Sequence, residues 1–105
     1  MGIGESLEGA ARAFQEQRRM GEELVLKDPA NGASLKALGA TRFYLGMVAY
    51  RRSDLVAARG EFEAYLEIAR RLVEMDASNP EWQLELAYAQ TTMVQVLSRI
   101  AIRRC

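Results

Sequence analysis

The chain has 105 residues, half of them hydrophobic and 27% charged, with 14 basic side chains set against 14 acidic ones. That composition suits one globular domain with a core and excludes a disordered polymer. Balanced charge offers no basic face for phosphate backbones, and no apolar run approaches the ~20 residues that span a bilayer, so neither nucleic acid nor a membrane is expected as a partner.

The opening, Met1-Gly2-Ile3-Gly4-Glu5-Ser6, has no basic segment followed by an apolar one and does not read as a secretory signal. Met1-Gly2 with Ser6 fits the loose myristoylation pattern, which an ordinary chain start fits as well. From there apolar residues recur every three or four positions. Leu7, Ala10, Phe14, Gly21, Leu24 and Val25 form a first stripe, which predicts an amphipathic helix over 5–27. The cluster Asp28-Pro29-Ala30-Asn31-Gly32 breaks it. A second helix is expected over 33–51, ending at Arg51-Arg52-Ser53-Asp54. Ser53 or Asp54 can cap the third helix, 54–75, because a short side-chain oxygen accepts a free backbone N–H there. Its stripe is Leu55, Ala58, Phe62, Tyr65, Ala69, Leu72 and Val73. After Asp76-Ala77-Ser78-Asn79-Pro80, a fourth helix is expected over 80–102. Asn79 is its cap and Pro80 its first residue, where a missing N–H costs nothing. No stretch alternates for long enough to argue a strand, so the predicted fold is all-α, a single domain over 1–105.

The halves repeat. Asp28 and Asp76 stand 48 positions apart, as do Asn31 and Asn79. The same shift pairs Leu7 with Leu55, Ala10 with Ala58, Phe14 with Phe62, Leu24 with Leu72 and Val25 with Val73. It also pairs Leu38 with Leu86, Val48 with Val96 and Arg51 with Arg99. A two-helix period of this size belongs to stacked helical hairpins, in which each unit completes its core on its neighbours.

Leu45-Gly46, then Ser53-Asp54-Leu55, Ala58, Phe62 and Leu66, resembles the tetratricopeptide repeat. Leu45 and Gly46 match that family's Leu-Gly pair, Ala58 its small residue and Phe62 the aromatic that packs beside it. Asp28-Pro29-Ala30-Asn31 is similar to its linker. Ser53 stands where the family has a turn glycine, Leu55 where it has an aromatic, and Met93-Val94 where the Leu-Gly pair recurs. The unit is about 14 residues longer than the standard repeat of about 34, close to two extra turns in each helix. The resemblance is to the long-helix variants of bacterial multidomain proteins.

The resemblance implies a phase: the chain opens on a second helix and closes on a first. The last helix carries Trp82, Leu84, Leu86, Tyr88, Met93, Val94, Val96, Leu97, Ile100 and Ile102 on more than one face. A fragment of a longer array, or a copy covering that face, is therefore expected. Homo-oligomerisation would involve Trp82, Met93, Val94, Leu97 and Ile100. The resemblance also implies a groove lined by first helices, with Lys36, Ala40, Phe43, Met47, Tyr50 and Arg51 facing it. The 48-residue shift adds Tyr88, Thr91, Gln95, Ser98 and Arg99. Such a surface suits a peptide or a partner helix, although Phe43, Met47 and Tyr88 fit a core equally well.

Chemistry is sparse. There is no histidine, which removes the usual general base and histidine metal sites. Cys105 is the only cysteine, so no internal disulfide forms, in keeping with a reducing, cytoplasmic setting. Glu22-Glu23, Glu61 and Glu63, and the arginine pairs Arg18-Arg19, Arg51-Arg52, Arg70-Arg71 and Arg103-Arg104 read as solvated faces. No glycine-rich phosphate loop occurs. No cofactor, metal or catalytic residue is expected. The expected function is a non-catalytic scaffold binding a protein or peptide. The alternatives are a self-associating structural module or a regulatory segment of a larger multidomain enzyme.

Overall fold

A computed structural model describes residues 3–104 in backbone and side chains from 8 to 103. The Met1-Gly2 lipidation pattern, the Leu7 side chain and Cys105 lie outside the described residues. Four helices follow in order: α1 Ile3–Lys27, α2 Gly32–Arg51, α3 Leu55–Met75 and α4 Pro80–Arg104. Among the described residues there is no strand, and every boundary lies within two residues of its sequence expectation.

The connections explain the boundaries. A residue before proline avoids helical backbone, so α1 stops ahead of Asp28-Pro29. The Asn31 N–H then donates to the Asp28 carbonyl at 3.1 Å, and the Asn79 N–H repeats that bond to Asp76 at 3.2 Å. The same turn thus recurs 48 residues on. Asn31 caps α2 by accepting from the Ser34 N–H, and Asn79 caps α4 by accepting from Glu81 and Trp82. Between α2 and α3, Asp54 is the cap, accepting from the Ala57 N–H at 3.2 Å. Ser53 precedes it with φ at 61°, the left-handed region that a glycine would enter freely.

Consecutive helices pack antiparallel, α1 on α2, α2 on α3 and α3 on α4. The core runs along α3, between α2 and α4. Leu35, Leu38, Ile68 and Leu72 fill one end. Tyr65, Ala69 and Ala89 fill the middle. Ala49, Leu55, Ala58, Phe62 and Val96 fill the other end. Phe62 is 2% exposed, and a Cβ placed on Gly46 would overlap its ring. The Leu45-Gly46 position therefore brings α2 and α3 close together. Gly39 repeats the device one step away, with the Ile68 Cγ2 only 3.1 Å from where a Cβ would lie.

α2 and α4 run parallel and touch near both ends. Trp82 lies over Gly32, where an added Cβ would meet the indole at 2.6 Å. Lys36 pairs with Glu81. At the far end Arg99 sits 4.6 Å from the centre of the Tyr50 ring and donates to the Ser53 hydroxyl at 3.2 Å. The packing repeats as the sequence does: Gly21 of α1 lies against Leu38 of α2, and 48 residues on Ala69 of α3 clusters with Leu86 of α4. No described residue of α1 is fully buried. No helix among the described residues is long and apolar enough to cross a membrane.

Candidate functional site: an apolar cleft along α1 and α2

α1 meets α2 through the stacked rings of Phe14 and Tyr44, 5.1 Å apart and 13° from parallel, and through Gly21 against Leu38. On the outer side of this contact lie two shallow depressions of about 380 and 300 Å³, which share Tyr44. Residues of α1 and α2 alone line them. Met20, Leu24, Ala37 and Ala40 floor one, and Phe14, Phe43, Met47 and Arg51 floor the other. Met20, Leu24 and Tyr44 are each about half exposed. The result is one apolar cleft between two helices. Charged groups stand beside it: Arg19 binds Glu16 and Glu23 on the outer surface of α1. The Arg19 guanidinium beside Glu16 holds that carboxyl below its usual range, and Glu16 in turn raises Arg19.

Across the α1–α2 contact, Arg42 of α2 reaches both neighbours. It donates to Glu22 of α1 at 2.8 Å and to Glu61 of α3 at 2.6 Å. Half-buried, this bridge fixes the angle between the outer helix and the core. Beyond it, a more polar depression of about 360 Å³ lies between α1 and α3, lined in part by Arg18, Arg52, Asp54 and Glu61. On the other side of the core, Tyr65 donates to Glu85 of α4 at 2.6 Å. Burial first, then the Glu85 carboxylate, pushes the pKa of the Tyr65 hydroxyl well above its ordinary value.

The groove residues expected from sequence divide. Phe43, Met47 and Arg51 line the cleft. Ala40 lines it too. Lys36 and Tyr50 are engaged with Glu81 and Arg99 of α4. Tyr88, Thr91, Gln95 and Ser98 stand exposed on α4, away from the cleft. The residues expected in self-association divide as well. Trp82 packs against the Leu35 cluster, and Met93 and Ile100 pack against the Phe62 cluster, because α3 needs these side chains to close its own core. Val94 is 64% exposed and Leu97 40%.

Sequence reasoning did not single out Met20 or Tyr44. The 48-residue shift held a signal for Met20, since it pairs that residue with Ile68, which is buried against α2. An apolar side chain in that register without its covering helix is left exposed, as Met20 is. Among the described residues, no group of three or more His, Cys, Asp or Glu side chains is placed to hold a metal ion. Comparison with protein-family models, with curated proteins and with solved structures finds no match.

Proposed function

We propose that the chain is a helical-repeat interaction module, of tetratricopeptide type, that seats an amphipathic helix of a protein partner in the α1–α2 cleft. The observation that carries this reading is the cleft itself: Met20, Leu24 and Tyr44 form an exposed apolar strip between two helices. Contiguous apolar surface of this kind marks interaction sites on soluble proteins, and a groove between helices fits the apolar face of a third. Recurrence of the turn, the cap and the Gly21–Leu38 contact after 48 residues supports the repeat reading. No catalysis is assigned to it.

The test is selection of short helical peptides from a displayed library against the whole chain. Selected peptides should be helical when bound, and should lose at least about tenfold in affinity, or ~1.4 kcal/mol, when Met20→Glu or Leu24→Glu places a charge in the strip. Peptides that bind equally well to both variants would overturn the assignment of the cleft.

A further inference from the structure

The repeat says what kind of helix fits the cleft. In the inner hairpin, α3 is held by α2 through Leu35, Gly39, Gly46 and Ala49, which meet Leu72, Ile68 with Tyr65, Phe62, and Ala58. Moved back by 48 positions, α3 becomes α1, and the α3 contact residues become Leu24, Met20 with Gln17, Phe14 and Ala10. Those are cleft residues. The place that α2 holds beside α3 is thus the open place beside α1.

Moved forward by 48 positions, α2 becomes α4. The residues by which α2 holds α3 become Gln83, Ala87, Val94 and Leu97, all exposed. α4 therefore has the helix type the cleft requires, and the face it would use is free. From Leu86 to Ser98 this helix has no charged residue over thirteen positions, an unusual run for an exposed helix flank. We infer that the cleft is filled by α4 of a second copy of this chain, head to tail, so that α4 and the neighbour's α1 form the hairpin that α2 and α3 form within one copy. This inference rests on the reading of the cleft as a helix seat.

One departure from the inner hairpin is compensated. Gly46 admits the Phe62 ring, and Val94 at the equivalent position of α4 does not. Phe14, the counterpart of Phe62, does not require that space, because its ring is already stacked on Tyr44. In the α4–α1 hairpin Val94 can then fill the place equivalent to the one that Phe62 takes beside Gly46. The two surfaces differ, so the contact is heterologous. Unless the rotation closes a ring, each added copy exposes a new α4, and the assembly grows beyond a dimer.

Sedimentation of three proteins tests this. Wild type should show a mass that rises with concentration past twice 11.8 kDa. Val94→Glu blocks the α4 face and Met20→Glu blocks the cleft; both positions are more than half exposed, so both variants should keep wild-type helicity by circular dichroism. Each alone should sediment as a monomer. An equimolar mixture should form a 1:1 dimer and stop, since one good α4 face meets one good cleft and the other pair is blocked. A monomeric wild type at high micromolar concentration would overturn the inference, as would a monomeric mixture, or a single variant that still associates, which marks a symmetric contact. If the wild type is monomeric while selected helices still bind in a Met20-dependent way, the helix seat survives and its occupant is another chain.

Discussion

Gly46 and Phe62 carry more of this fold than their size suggests. The ring occupies the space a Cβ would need, so the two positions depend on each other. Phe62→Ala should destabilise by about 3–5 kcal/mol, the usual cost of truncating a buried aromatic. Gly46→Leu should cost about 1–3 kcal/mol or more by overpacking. Urea melts measure both, and a change within ~0.5 kcal/mol of wild type would place Phe62 elsewhere. Ser53 works in the opposite direction. It is held at φ 61°, where a Cβ costs roughly 1–2 kcal/mol. Its hydroxyl recovers part of that by accepting from Arg99. Ser53→Gly should therefore stabilise by about 0.5 kcal/mol net, read as a raised Tm, because an exposed hydrogen bond contributes less than the strain.

At the scale of elements, Tyr65 ties α3 to α4 through Glu85, with α2 packed over the ring at Gly39 and at Phe43. Its pKa is raised in the folded chain, by burial and by that carboxylate. A raised value means stabilisation that is fully present below the unfolded value of 10.0 and lost as pH climbs through the folded one. Thermal melts should show extra loss of stability above pH 10 in wild type, and Tyr65→Phe should have a shallower alkaline slope. Equal slopes would remove Tyr65 from the explanation. α1 presents the converse case: no described residue of it is fully buried, and Arg42 joins it to Glu61 of α3 through Glu22. Hydrogen exchange should find α1 the first helix to open, since local opening follows sparse burial. Protection of α1 equal to that of α3 would contradict this.

For the whole molecule, the two outer surfaces are the inside surfaces of the middle hairpin, displaced by one repeat. Met20 and Leu24 correspond to Ile68 and Leu72, which are buried. A helical hairpin cannot cover its own two faces, so a stack of few helices keeps apolar surface at both ends. Charge at one end should leave the fold intact, because those side chains contribute little to the core of an isolated chain. The melting temperatures of Met20→Glu and Val94→Glu should lie within a few degrees of wild type. A collapse of either would mean that the end face belongs to the core.

The sequence by itself determined the four helices, the Asn79 cap and the 48-residue frame, and it narrowed the cap of α3 to Ser53 or Asp54. These depend on local chemistry: proline and asparagine at turns, short oxygens before helix starts, and an apolar period of three to four residues. The Gly46–Phe62 contact was legible only through the resemblance to the tetratricopeptide repeat, in which Leu45-Gly46 matches the Leu-Gly pair and Phe62 the aromatic of the next helix. Only the tertiary structure decided which apolar residues are consumed and which remain. On α4 the apolar residues extend around more than one face, and spacing cannot say that α3 takes Trp82, Met93 and Ile100 and leaves Val94 and Leu97. The cleft was hidden for the same physical reason, since Leu24 reads as core until its side of α1 is seen to be uncovered. Exposure depends on what lies across from a side chain, and that is settled by the packing of distant segments.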